Sequence, residues 1–380
     1  MRLKPIDQQV VVLIGATSGI GRSAALRFAE HGARVVVAGR SMPALEALVH
    51  EIVAKGGQAL AVPVDVAHFE QVKSVADQAI HTYGRIDSWV HLAAITMYAP
   101  FADTTADEFK RIVDVNLLGQ VHGAMVALPH LRREGRGALI HISSIVARRS
   151  VPLQSAYAAS KHGIIGFLDA LRLELQHEGL PISVTNVMPG SINTPLFEKA
   201  LTRLGVLPRP LPPVYEPELV AETILYVAEH PVREIYVGGA GKQFGLVQRL
   251  SPRLGDKLLA KIAFPAQKTD QRKPADSPHN LFEHLQGYDR VKGAFSSEAK
   301  PFSLYSLLKT RPAIRWAASA SLLATGAFFA TRMIYPRRKK SIWRTGLLAS
   351  ASNRLGRKKP AWRKIGRLAA GWSALKSLRS

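Results

Sequence analysis

The chain has 380 residues, more than one compact domain usually holds, so length alone asks for one large domain with an extension or for two domains. It contains no cysteine, which excludes disulfides, thiolate metal sites and a cysteine nucleophile, and its 13 histidines show neither a paired metal spacing nor an H-E-x-x-H motif, so no metal is expected. The net charge of +23 suggests a nucleic-acid binder until its position is considered: 19 of the 51 basic residues fall between Ala299 and Ser380, where there is no Asp or Glu, leaving 32 basic against 28 acidic residues in the first 298. The basicity belongs to a tail and says nothing about the chemistry of the main domain.

Met1 to Pro5 lead straight into a short apolar run, Val10 to Ile14, too short for the apolar region of a signal peptide and without a small-residue cleavage site behind it, so the catalytic domain is expected in the cytoplasm. Similar runs follow at Arg34 to Ala38, Ala59 to Val64, Trp89 to Ala93, Ala138 to Ile142, Ile182 to Val187 and Ile235 to Val237, separated by longer helical patterns. This alternation is the form of parallel strands joined by crossover helices. Because each run is nearly continuously apolar, both faces must be covered. The expected fold is therefore α/β, a Rossmann-like doubly wound parallel sheet of about seven strands, with a helical or irregular basic C-terminal extension. The alternation stops at Gly238, Gly239 and Gly241, and Ala266 to Gln286, rich in Pro, Asp, Asn, His and Lys, reads as a linker or irregular arm. These breaks divide the chain into residues 1–245, a dinucleotide-binding catalytic domain, 246–311, an arm, and 312–380, a basic tail.

The first strand runs into Gly15-Ala-Thr17-Ser18-Gly19-Ile20-Gly21, followed by a helical pattern. Glycines at a strand end let the chain turn sharply and bring backbone N–H groups and a helix N-terminus against a diphosphate. A glycine cluster alone is weak evidence, but here the strand precedes and the helix follows. The second strand ends in Gly39-Arg40, where such enzymes place either a carboxylate on the ribose hydroxyls or an arginine on a 2′-phosphate. With no carboxylate there and Arg40 available, NADP(H) is expected rather than NAD(H).

The second signal is Ser155-Ala-Tyr157-Ala-Ala-Ser160-Lys161. On a helix, residues four apart share a face, so Tyr157 and Lys161 project together, and a nearby ammonium favours the phenolate of a tyrosine that must act as acid or base. Ser143 and Ser144 stand just beyond the strand Ala138 to Ile142, where a hydroxyl can bond a substrate oxygen on which charge develops. Asn116 lies in the helical pattern from Glu108 onwards, and Met188-Pro189-Gly190-Ser-Ile192-Asn-Thr194-Pro195 follows the sixth strand.

Taken together, over roughly residues 7 to 240, this set closely resembles the short-chain dehydrogenase/reductase family, with its G-x-x-x-G-x-G fingerprint, its Asn, Ser, Tyr, Lys tetrad and its Pro-Gly loop in the same order. The resemblance implies an oxidoreductase in which Tyr157 is the acid/base, Ser144 polarises the carbonyl, Lys161 binds the nicotinamide ribose and lowers the Tyr157 pKa, and Asn116 anchors a proton-relay water. It further implies that Ile192 and Thr194 meet the nicotinamide carboxamide, that Asp65 sits by the adenine, that Ala93, Pro189 and Gly190 border the cofactor, and that the protein is a homo-oligomer. Two positions depart from the family pattern: Ile14 stands where Thr is usual, and His91-Leu92-Ala93-Ala94 where Asn-Asn-Ala-Gly is common.

The loop from Leu196 to Pro213, rich in Leu and Pro, falls where a lid would be and suggests an apolar ketone or alcohol as substrate. In the tail, sixteen uncharged residues from Trp316 to Thr331 fall short of a membrane span, with Arg315 and Arg332 at their ends. Trp362, Ile365, Leu368, Ala369, Trp372, Leu375 and Leu378 recur at helical spacing among basic residues. That stripe suits an anionic lipid surface, and equally a helix packed on the protein's own core; nucleic acid is the least favoured partner. The competing readings are a dinucleotide-binding scaffold or sensor, and a lipid- or nucleic-acid-binding protein acting through its tail.

Overall fold

A computed structural model describes residues 2–239 and 251–311. Seven strands form one parallel sheet: β1 (Val10–Ile14), β2 (Arg34–Gly39), β3 (Gln58–Pro63), β4 (Ser88–His91), β5 (Gly137–Ile142), β6 (Ile182–Pro189) and β7 (Glu234–Val237), in the order β7-β6-β5-β4-β1-β2-β3. All five residues of β1 are fully buried, which is why its sequence is an unbroken apolar run and not an alternating one. Each of the seven expected strands is present within two residues of its predicted ends.

Helices cover both faces. On one side α1 (Gly19–Glu30), α2 (Met42–Ala54) and α6 (Pro217–Glu229) bury Phe28, Leu45, Leu48 and Ile224 against Val11, Leu13 and Val35 of the sheet. On the other, α3 (Phe69–Tyr83), α4 (Ala106–Arg133) and α5 (Ser155–His177) pack Val72, Ile112 and Ile164 against Val12, Val36 and Leu139. Burying each such side chain contributes about 1.5–3 kcal/mol before chain entropy is charged against it. The 28 residues of α4 are apolar enough to cross a membrane, but half of that surface is buried in this layer, the signature of a core helix.

Residues 251–311 pack against this domain and belong to the same compact unit. They include α7 (Pro252–Ala266), the strand Lys268–Arg272 paired antiparallel with Val206–Pro208, and α8 (Leu304–Thr310). Lys300 extends the structure behind β6: its N–H donates to Val214 O (2.9 Å) and its carbonyl accepts from Glu216 N (3.1 Å). Ser306 Oγ accepts from the Gly238 N–H at 3.2 Å. The stretch expected as a linker or irregular arm is therefore packed protein, held by backbone pairing that its polar composition does not announce. The apolar segment Trp316–Thr331 and the stripe from Trp362 lie outside the described residues.

Candidate active site

The strand order reverses between β1 and β4, and the crevice at such a switch point is where open parallel sheets bind ligands. A cavity of about 270 Å³ lies there, lined by the glycine loop at one end and by Ser144, Tyr157 and Lys161 at the other. Gly15 has φ +88°, and a methyl group on it would stand 2.6 Å from Ala93 N. A methyl on Gly21 would stand 2.0 Å from Gly15 O. Both glycines thus let the loop, α1 and the end of β4 close on one another, leaving a cradle that side chains would fill.

Arg40, at the end of β2, lines the cavity and donates to two backbone carbonyls of the arm, Asn280 O at 2.9 Å and Phe282 O at 3.2 Å. Asp65 also lines the cavity. Its Oδ2 accepts from Arg111 at 2.6 Å and its Oδ1 from Ala67 N at 3.0 Å. Burial works to raise the Asp65 carboxyl, but the Arg111 and Ala67 hydrogen bonds outweigh it and hold the group below its ordinary range. Thr17, Ser18, Gly19 and Ile20 line the same wall, and the Gly190–Thr194 segment faces them: a methyl on Gly19 would lie 3.1 Å from the Thr194 side chain. Pro189, Gly190, Ile192 and Thr194 all border the cavity.

At the inner end the two serines after β5 separate. Ser143 Oγ donates into the sheet to Asn186 Oδ1 (2.6 Å), while Ser144 faces the cavity and shares a hydrogen bond with the Tyr157 phenol. Lys161 is fully buried one turn beyond Tyr157, donates to Ile142 O at 2.9 Å, and has its Nζ 5.5 Å from the centre of the Tyr157 ring. At Tyr157 burial dominates, pushing the phenol up to about 12, and the counteracting effect comes from Ser144. Burial likewise pushes the Lys161 ammonium down to about 7.

Asn116 sits in a wider π turn of α4, Asp114–Leu118, behind the cavity. Its side chain is fully engaged: Oδ1 accepts from Ile95 N (2.8 Å), and Nδ2 donates to Ile95 O (2.9 Å) and Ser160 Oγ (3.2 Å). It splices the loop after β4 to the helix carrying Tyr157, a positioning role, and leaves no side-chain donor over for a relay water.

A model of the short chain dehydrogenase family matches residues 9–204. An uncharacterized oxidoreductase of Bacillus subtilis (strain 168), YxnA, is 38% identical over 336 residues, covering 86% of this chain and 92% of its own. The chain belongs to the short-chain dehydrogenase/reductase family. Dehydrogenase/reductase SDR family member 7B of Bos taurus is 33% identical over 276 residues, 70% of this chain and 84% of that protein. The fold is shared with an archaeal alcohol dehydrogenase from Thermococcus sibiricus, solved with 5-hydroxy-NADP, at a TM-score of 0.53 and 22% identity over 60% of this chain and 95% of the other. The similarity to YxnA covers 86% of the chain and so is too long to end before the tail; it takes in the whole of residues 246–311.

Three features of the site go beyond the sequence reading, which noted His91 only as a departure from the family pattern and did not single out Lys199 or the arm residues. His91, where the family commonly has Asn, is completely buried, stacks on His141 at 6.5 Å, and finds no partner for either ring nitrogen among the described residues. Burial, then His141, Lys161 and His122, push its pKa well below the ordinary imidazole value, so it stays neutral. Lys199, five residues after Thr194, places its Nζ 2.8 Å from Ser18 Oγ. The arm contributes Asn280 and His284 to the cavity wall. A lone lysine and a Pro- and Asn-rich stretch carry no periodic signal that would have found them.

Proposed function

We propose that the protein is an NADP(H)-dependent oxidoreductase that interconverts a carbonyl and an alcohol on an apolar substrate. The observation that carries this reading is the convergence, in one cavity, of a glycine cradle with Arg40 at one end and the Ser144, Tyr157, Lys161 cluster at the other. The cradle fits a dinucleotide: bare glycines at Gly15 and Gly21 let the loop close on Ala93 and on itself, and the guanidinium of Arg40 meets no carboxylate within 4.0 Å among the described residues. Gly15, Thr17 to Gly21, Ala93 and Asp65 would border the adenosine and diphosphate, with Pro189, Gly190, Ile192 and Thr194 beside the nicotinamide. When bound, the nicotinamide supplies or accepts a hydride.

This chain's residues handle the proton. In the reductive direction the Tyr157 phenol donates its proton to the substrate oxygen, and Ser144 donates a second hydrogen bond that stabilises the developing charge. Burial keeps the phenol protonated, the form that carbonyl reduction requires. Lys161 supplies positive charge beneath the ring as the phenolate forms. On the substrate side, Val146, Leu196, Phe197, Leu211 and Leu259 line the cavity with Pro210, Pro212 and Pro213, which favours an apolar ketone or alcohol. The test is NADPH oxidation against ketones and aldehydes of graded size. Turnover that rises with apolar bulk supports the reading, and no turnover with any carbonyl would sink it. The basic tail as a lipid-binding element, and assembly as a homo-oligomer, remain proposals carried by sequence and family alone.

A further inference from the structure

Lys199 closes the short helix Leu196–Lys199 that follows the Pro-Gly loop, and only 9% of its surface is exposed. Its ammonium donates to Ser18 Oγ in the glycine loop, and among the described residues no carboxylate lies within 4.0 Å of it. Of the nearby acids, Glu198 pairs through Oε1 with Arg290, while Asp289 Oδ1 stands 3.6 Å from His284 Nε2 and makes no hydrogen bond among the described residues. Burial pushes the ammonium down to about 8, with Arg40 and Arg290 acting in the same direction and Asp289 and Glu198 against it. A buried ammonium whose one close partner among the described residues is a hydroxyl carries a desolvation penalty that an anion would relieve.

The arm supplies the other half of the arrangement. Asn280 N–H donates to Lys199 O at 2.9 Å, and Asn280 O accepts from Arg40, so one residue ties the two cations together. Asn280 is only 4% exposed and lines the cavity, and only its side-chain NH2 could donate to an anion there. His284 lines the same cavity. Farther along, Arg290 O accepts from Gly19 N at 2.9 Å, and Gly293 packs so closely on Thr194 that a methyl there would stand 2.5 Å from Thr194 O. The arm is therefore fastened at Arg40, at Lys199, at Gly19 of the glycine loop and at Thr194.

We propose that Lys199, with the arm residues Asn280 and His284, binds a phosphate group of the dinucleotide, making residues 279–293 a wall of the cofactor site. The proposal rests on the dinucleotide reading of the cavity. The ligand chemistry is a phosphate beside Ser18 and Arg40, which either the diphosphate or the 2′-phosphate supplies, and the two sources differ in their response to NADH. Access for the cofactor then requires the arm to lift, and a bound cofactor holds it down.

The test is calorimetric titration of the full chain with NADPH and NADH, for the wild type, Lys199→Met and Asn280→Ala, with melting temperatures taken without nucleotide. Lys199→Met is expected to melt no lower than the wild type, because an uncompensated buried charge is gone, and to bind NADPH about 10- to 100-fold more weakly. Equal weakening for NADH assigns the diphosphate; unchanged NADH affinity assigns the 2′-phosphate. Affinities within twofold of wild type for both nucleotides, with a lowered melting temperature, would make Lys199 a packing residue and overturn the proposal. Should the variant fail to fold, tryptic cleavage of the wild type at Lys273, Arg290 and Lys292 decides: NADPH is expected to slow it several-fold, and no protection overturns the proposal. A wild type that binds neither nucleotide overturns the dinucleotide reading and this proposal with it, whereas binding untouched by the variants overturns this proposal alone.

Discussion

Gly21→Ala probes the cradle with a single methyl group. The added carbon would lie 2.0 Å from Gly15 O, 2.9 Å from Gly15 C and 3.1 Å from Ala16 Cα, and every one of these atoms is backbone, so no side chain can swing aside. Gly15 cannot retreat either, because its own Cα side is closed by Ala93 N. The loop or α1 must move by roughly an ångström to restore ordinary contact, an overpacking strain of about 1–3 kcal/mol. For a chain of this size that lowers the melting temperature by a few degrees. The same shift misplaces backbone donors for the diphosphate, and losing two charge-assisted hydrogen bonds of about 1.5 kcal/mol each weakens nucleotide binding on the order of 100-fold. Gly166→Ala is the control: it lies inside α5 with nothing within 4 Å of the new methyl, so gained helix propensity of about 0.5–1 kcal/mol should raise the melting temperature. Differential scanning calorimetry and nucleotide titration on both variants make the comparison. Gly21→Ala melting within 1 °C of wild type and binding within twofold, an order-of-magnitude tolerance, would refute the cradle.

Exchanging Gly39 for Asp and Arg40 for a neutral residue is expected to turn the ratio of NADPH to NADH efficiency towards NADH, because a carboxylate repels the 2′-phosphate and accepts from ribose hydroxyls; an unmodified protein that already prefers NADH would show Arg40 misread. With the Tyr157 phenol pushed up to about 12, carbonyl reduction, which needs the protonated form, should be flat from pH 7 to about 10, while alcohol oxidation, which needs the phenolate, should rise about tenfold per pH unit. Reduction falling between about pH 7 and 9 would mean that Lys161 overrides burial once nucleotide is bound. Removal of residues 312–380 is expected to release the protein from sedimenting membranes with turnover retained, since every proposed site residue precedes that point, and high salt should extract the full chain only partly. Full-length protein wholly in the supernatant at low salt would defeat the lipid reading.

The sheet was legible because a strand buried on both faces must be apolar throughout, and seven such runs separated by helical patterns allow few other folds. Tyr157, Lys161 and Ser144 were legible because helical spacing and strand-end position tie them to one point. Asn116 illustrates the limit: an asparagine in a helix can face a cleft or bond backbone, and only the structure shows its amide spent on Ile95 and Ser160. The influence of Lys161 on Tyr157 could not be ranked against burial without knowing that both are enclosed. Between a linker and an irregular arm the sequence could not choose, for a physical reason. The arm is held by carbonyls of Asn280, Leu281 and Phe282 accepting from Arg40 and Arg111, and by backbone pairing of Lys268–Arg272, so it needs no apolar periodicity to pack. A truncation at residue 300 would remove α8 and cut at the Lys300 pairing with Val214 and Glu216, which a cut after residue 311 spares.

The most direct test of the account is pre-steady-state NADPH oxidation by Tyr157→Phe, which removes one phenol oxygen and leaves Lys161 and the cradle in place. The hydride-transfer rate is expected to fall by about two to four orders of magnitude, the usual worth of a positioned acid, with the NADPH dissociation constant unchanged. A rate within about threefold of wild type would contradict the claim that Tyr157 carries the proton.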